Sequence, residues 1–142
     1  QPQIRAGAMS GERDLARLLA ALRVSARDGE FVFVGSATGD AALAAIAEAS
    51  SREAEGITSG LPRGQADARP LGYDFIAAWL TLDVHSALDA VGLTAAVSGV
   101  LADHGIPCNV LAGLHHDHLL VAADRRDDAL AALERLAAVS PT

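Results

Sequence analysis

The feature that most constrains this chain is the order in which hydrophobic periodicity changes along its second half. From Phe75 to Val84 the pattern has period two, with Ile76, Ala78, Leu80, Leu82 and Val84 on one face. Phe75, Trp79, Thr81, Asp83 and then His85 follow the other face, so the segment reads as a strand. Ser86 to Val91 is a loop. Gly92 to His104 switches to helical spacing, with an apolar stripe of Leu93, Val97, Val100 and Leu101. Gly105 stands where a left-handed residue ends a helix, and Pro107 prevents continuation. Cys108 to Leu114 is a strand, His115-His116-Asp117 a turn, and His118 to Ala123 the returning strand. Asp124 caps a last helix with Ala129, Leu130, Leu133, Leu136 and Ala137 facing inward. The order β-α-β-β-α is a split βαβ sandwich short of its last strand. It implies an α+β fold with helices on one face of a mainly antiparallel sheet. An open edge is a pairing hazard, so the missing strand is expected from the first half or from another chain.

The first half is less regular. Ser10 to Arg23 reads as a helix with Ser10 as N-cap and Leu15, Leu18, Leu19 and Leu22 at helical spacing. Asp28-Gly29 is a turn and Phe31 to Gly35 a buried strand. Asp40 caps a helix over Ala41 to Ala49. Arg52 to Leu61 is an irregular strand, on which Glu53 and Glu55 share a face. Pro62-Arg63-Gly64 and the polar stretch to Pro70-Leu71-Gly72 form the expected linker. The expected division is a disordered tail over 1–9, an N-terminal unit over 10–70 and a C-terminal unit over 71–142.

Composition narrows the function. The chain has 142 residues, 51% hydrophobic, which suffices for a globular core at this length. All 11 basic residues are Arg, against 18 acids, for a net charge of -7. Acidity with scattered Arg argues against nucleic acid, where phosphate contacts supply most of the affinity. Without Lys no GxxxxGK[ST] phosphate loop exists. No stretch is apolar enough to span a membrane, and Gln1 to Ser10 lacks a signal-peptide pattern. A single cysteine, Cys108, forms no internal disulfide and reads as a small buried apolar residue. The expected location is the cytoplasm. Charge is uneven: residues 1–70 carry 8 Arg and 9 acids, residues 71–142 carry 3 Arg and 9 acids, and all five His lie in the second half.

Four segments carry a family resemblance. They are Glu53-Ala54-Glu55-Gly56-Ile57-Thr58, Leu82-Asp83-Val84-His85-Ser86, Val91 to Val97 continuing through Leu101 to Ile106, and Asn109 to His118. Together they resemble a small bacterial group of stand-alone tandem ACT-domain proteins, over roughly residues 10 to 138. The resemblance implies two ferredoxin-like βαββαβ units in tandem that share strands, the second well formed and the first degenerate. It implies a regulatory protein, a homodimer, and an amino acid bound between ACT units; it implies no known reaction, and neither catalysis nor a cofactor is expected. The pocket it implies is the loop Ser86, Ala87, Leu88, Asp89, Val91 and Gly92 with Leu93 of the following helix, together with Asn109 of a neighbouring unit. A helix N-terminus suits a carboxylate, and Asp89 suits an α-ammonium group.

Each residue also has a plainer role. Ser86 and Asp89 serve equally as helix caps, Gly92 as a packing glycine, and Asn109 as a partner of strand-end backbone. The run His115-His116-Asp117-His118 has three readings: ligand-pocket lining with His115 and His116, a hairpin turn, or a metal site that His85 joins if its strand neighbours the hairpin. The metal reading would make the chain a metal-binding protein or metal-dependent enzyme. A third possibility is a protein-interaction module without a small ligand. Glu53 and Glu55 suit acid–base work, a salt bridge to Arg52 or Arg63, or an anchor between the halves. His104, at a helix C-terminus, needs no further role.

Overall fold

The computed structural model describes residues 13–37, 40–87 and 89–139. The expected tail, the Ser10 cap and Leu88 lie outside these residues. Helix α1 spans Leu15–Ala21, capped by the Asp14 carboxylate, which accepts from the Arg17 backbone N–H. Strands β1 (Val24–Ala26) and β2 (Phe31–Ser36) follow. Then come α2 (Ala41–Ile46), β3 (Ala49–Glu53), β4 (Gly56–Pro62) and α3 (Arg63–Ala68). The second half contains β5 (Ile76–Leu82), α4 (Leu93–Asp103), β6 (Cys108–Ala112) and β7 (Asp117–Ala122). A 3-10 turn over Ala123–Arg125 leads into α5 (Arg126–Val139). No helix among the described residues is long and apolar enough to cross a membrane.

The strands form one antiparallel sheet in the order β3-β4-β2-β5-β7-β6, with β1 also on β5. One edge of β5 pairs with β7, from Ala77↔Ala122 to Thr81↔His118. Its other edge is divided. Val24–Ala26 of β1 pairs with Leu82–Leu80, and Phe31–Val32 of β2 pairs with Ala77–Ile76. Thus β1 and β2 are one strand interrupted by Arg27–Glu30, where Gly29 adopts φ +83. The missing edge strand is supplied by β1, from the first half of the same chain. The order β6-β7-β5-β1 completes one split βαβ unit, and β3-β4-β2-β5 completes the other, so β5 belongs to both.

The described helices lie on one face, as the period-two pattern requires. Against Ala78, Leu80, Leu82, Leu119 and Val121 pack Leu18 and Leu22 of α1, Leu93, Val97 and Leu101 of α4, and Ala129, Ala132 and Leu133 of α5. Against Val32, Val34 and Leu61 pack Leu43 of α2 and Ala66 of α3. The opposite face holds Phe31, Trp79 and Leu120, with Leu111 of β6 and Ala49 of β3 against them. Because β6 and β3 end the sheet, their meeting in one cluster means that the sheet curls on itself.

The first half departs from the sequence reading in four places. The helix expected over Ser10 to Arg23 runs only from Leu15 to Ala21, with Asp14 rather than Ser10 as its N-cap. The helix from Ala41 ends at Ile46 rather than Ala49, because the Glu48 N–H donates to the Gly60 carbonyl oxygen (2.8 Å) and draws the chain into β3. Alanine favours helix but buries too little to resist this. The irregular strand Arg52–Leu61 is a hairpin with Ala54-Glu55 as its turn, so Glu53 ends β3 while Glu55 lies in the reversal itself. Their expected shared face does not exist. The expected linker contains α3, held by the fully buried Ala66.

Candidate functional site

The loop after β5 leaves the sheet at Asp83, whose N–H donates to the Arg23 carbonyl oxygen at 2.7 Å. It re-enters regular structure at Gly92, the N-cap of α4, with φ 104. Among the described residues no side chain, Ser86 and Asp89 included, caps the helix. This contrasts with α1 and α2, where Asp14 and Asp40 accept the orphan backbone N–H groups. Among the described residues, no side chain therefore caps the positive dipole end of α4.

Within the loop, the Ser86 N–H donates to the Val84 carbonyl oxygen (3.1 Å), and the Ala90 N–H to that of Ala87 (3.0 Å). Ala87 and Leu93 are buried, whereas Val91 is 82% exposed. Asp89 accepts from Arg13 Nε at 2.8 Å across 76 positions of sequence. A Cβ built on Gly92 would come within 2.8 Å of Leu15 Cδ2. The space beside Gly92 is thus filled by α1, and the packing role of this glycine is realised. Arg13 and Leu15 are absent from the sequence-derived site. Nothing in the local pattern points to them, since only the pairing of β1 with β5 brings α1 over this loop.

The β6–β7 hairpin reaches the same end of the sheet. The His115 ring meets the His85 ring edge-on at a centroid distance of 5.7 Å. The Gly113 N–H donates to the His116 carbonyl oxygen (3.0 Å), closing the turn. His116 Nδ1 is buried with no hydrogen-bond partner among the described residues. His118 points elsewhere, onto the open face of the sheet. Its Nδ1 and the Thr81 hydroxyl are hydrogen-bonded at 3.0 Å, and its ring lies 5.6 Å from that of Trp79. Desolvation holds the His118 pKa below its usual value, reinforced by Arg27 and His116 and opposed by Asp117 and Asp83. Burial also pushes Asp117 up, against the pull of His118 and His116.

The His run therefore diverges. Among the described residues no group of three or more His, Cys, Asp or Glu side chains is placed to hold a metal ion. Asn109 is exposed on β6, the outer strand, paired with Leu120. The paired carboxylates dissolve as well: Glu53 accepts the Thr58 hydroxyl across the hairpin. Arg63 instead pairs with Glu30 at 2.8 Å. His104 Nδ1 donates to the Val100 carbonyl oxygen (2.9 Å), so its Nε2 accepts from Arg135 (3.3 Å). Arg125 covers the carbonyl oxygens of His104 and Gly105 at the end of α4. Burial raises the Cys108 thiol pKa, which suits an unreactive apolar role.

Two ACT-domain family profiles match the chain, one over residues 10–78 and one over 75–135. Among solved structures, a protein of unknown function from Vibrio cholerae, described as a possible transport protein, is 36% identical. It aligns over 90% of this chain and 99% of its own, with a TM-score of 0.80. A protein from Agobacterium tumefaciens is 15% identical over 82% of this chain and 89% of its own, with a TM-score of 0.63. The regulatory subunit of aspartate kinase from Thermus flavus is 9% identical over 81% and 95%, with a TM-score of 0.56. The last two are alike in fold alone. No curated protein matches.

Proposed function

Because this chain belongs to the ACT-domain proteins and carries two such units in tandem, we propose that it is a sensor of a free amino acid. ACT units are regulatory modules that bind small ligands, and the finer reading concerns the ligand and its place. The amino acid binds at the loop of Ser86, Ala87, Leu88, Asp89, Val91 and Gly92, with Leu93 behind it, where this unit meets Asn109 of a second copy. The observation that carries this is the uncapped N-terminus of α4, whose first backbone N–H groups suit a carboxylate. Asp89 offers the opposite charge three residues earlier. His115 and the buried, unpartnered Nδ1 of His116 supply polar lining at the same end of the sheet. The protein works in the cytoplasm as a homodimer, without catalysis. A ligand touching both units stabilises one relative arrangement of them, which is all that regulation requires.

Thermal shift with each of the twenty amino acids, followed by calorimetry, tests this. The expected result is saturable binding of one or a few. Absence of any binding tighter than about 1 mM overturns the reading.

A further inference from the structure

We propose that the tip of the β6–β7 hairpin, Gly113–His116, is a proton-operated latch: it lies docked beside the start of the Ser86 loop while the imidazoles around it are neutral, and separates as they take up protons. The inference goes beyond the ligand reading and does not depend on it. The pairing pattern leads there first. β7 pairs with β5 only as far as Thr81↔His118, and β6 pairs with β7 only as far as Ala112↔Asp117. Beyond these rungs the turn is closed by the Gly113 N–H on the His116 carbonyl oxygen at 3.0 Å. Leu114, the apolar side chain of the tip, is 58% exposed and anchors nothing. A segment held by so few contacts opens before the core does.

What docks the tip is imidazole. His115 meets His85, the residue before Ser86, ring to ring at 5.7 Å. His118, on the last rung, shares a 3.0 Å hydrogen bond with the Thr81 hydroxyl and lies edge-on to Trp79 at 5.6 Å. Gly113 closes over that ring, since a Cβ built there would lie 3.2 Å from His118 Nε2. These contacts suit neutral rings and fail for charged ones. Two imidazolium rings at the His85–His115 distance repel. Trp79 already carries the Arg27 guanidinium over its face at 4.1 Å, so a charged His118 is a second cation on one ring. The charged groups facing His118 are Arg27 from the β1–β2 connection, His116 and Asp117 from the hairpin, and Asp83 from the end of β5. Desolvation disfavours its proton, Arg27 and His116 add to this, and the two acids oppose it. The same two acids stand two residues from His85 and His115. Arg27 is balanced by Glu48, and Asp89 of the loop by Arg13. Four of the five His thus gather here against Asp83 and Asp117, and full protonation reverses the sign of this end of the sheet. Opening also lets water reach His116 Nδ1, which is buried without a partner among the described residues. The docked form favours neutral rings, so it is held above the ordinary imidazole value of about 6.5 and lost as pH falls below it.

Hydrogen exchange of the full chain at about pH 7.5 and about pH 5.5, corrected for the intrinsic pH dependence of exchange, tests this. The expected result is a loss of about tenfold in protection over residues 113–118 at the lower pH, with Leu119–Val121 of β7 unchanged. The fluorescence of Trp79, the single tryptophan, should change over the same range, because His118 lies against it. His118→Gln keeps a partner for Thr81 and takes no proton, and His85→Phe keeps a ring for His115 and takes none. The double variant should hold its protection at both pH values. Should it not fold by circular dichroism, His85→Phe alone, at an exposed position, should still reduce the pH-dependent loss. Equal protection of residues 113–118 at both pH values in the wild type overturns the proposal. So does a loss that the variants leave untouched, which places the titrating group elsewhere. A loss that spreads through Leu119–Val121 overturns it as well, since that is acid unfolding of the whole chain. No ligand enters this test, so its failure leaves the proposed function standing.

Discussion

At Gly56 the backbone adopts φ +140, and a Cβ there would fall on the Ser36 carbonyl oxygen. This glycine lets the β3–β4 turn lie directly against the end of β2. Gly56→Ala should cost about 2 kcal/mol or more, combining a disfavoured dihedral with a backbone clash. Urea unfolding followed by the single tryptophan reads it directly, because Trp79 is only 2% exposed in the folded state. His118 makes a prediction about pH. Its folded-state pKa is lowered, so folding favours the neutral ring. The unfolded chain takes up the proton first, near the ordinary value of about 6.5. The stability tied to a neutral His118 is therefore present above about pH 6.5 and lost as pH falls through the folded-state pKa. His118→Gln, which can keep a hydrogen bond to Thr81, should flatten the decline of unfolding free energy on that side. An unchanged slope between wild type and variant would show that His118 does not titrate differently on folding.

Helix α1 and strand β1 pack away from their sequence neighbours. Leu18 is fully buried among Leu80, Leu101 and Leu133, all from the second half. Leu18→Ala should destabilise by about 2–5 kcal/mol, the usual range for emptying a well-packed leucine site. The loss should appear in the helices of the second half as much as in α1. Hydrogen exchange of the α4 and α5 amides reports it, and unaltered protection there would contradict the packing described. The open-face contacts tie the halves together a second time. The Arg27 guanidinium stacks on Trp79 at 4.1 Å while its Nη1 pairs with Glu48 at 2.7 Å.

For the whole molecule, a fragment of residues 71–142 should not fold alone. It lacks Leu18 and Leu22 over its core and lacks β1 along Leu80–Leu82 of β5. Its thermal transition should be broad or missing by circular dichroism, whereas the full chain melts cooperatively. A sharp melt of the fragment would mean that β5 tolerates an open edge. This dependence also explains how far the residues alone could be read. The alternation from Ile76 to Leu82 and the helical stripe of Leu93, Val97 and Leu101 are local signals strong enough to specify their elements and buried faces. The β-α-β-β-α order then left one edge unfilled, and the need for a partner strand was evident from that order. Which strand fills it was not evident. Val24–Ala26 is too short for a period-two signal, and its pairing is decided by α1 docking on a core more than fifty residues away. The candidate site divides likewise. Asp89 and Gly92 are readable from their positions before a helix, but the contacts of Arg13 and Leu15 with them exist only once β1 has paired with β5. Hydrophobic periodicity is carried by neighbouring residues and survives in one dimension. Charge pairing and close approach between distant segments depend on how the sheet is closed, which a linear pattern does not encode.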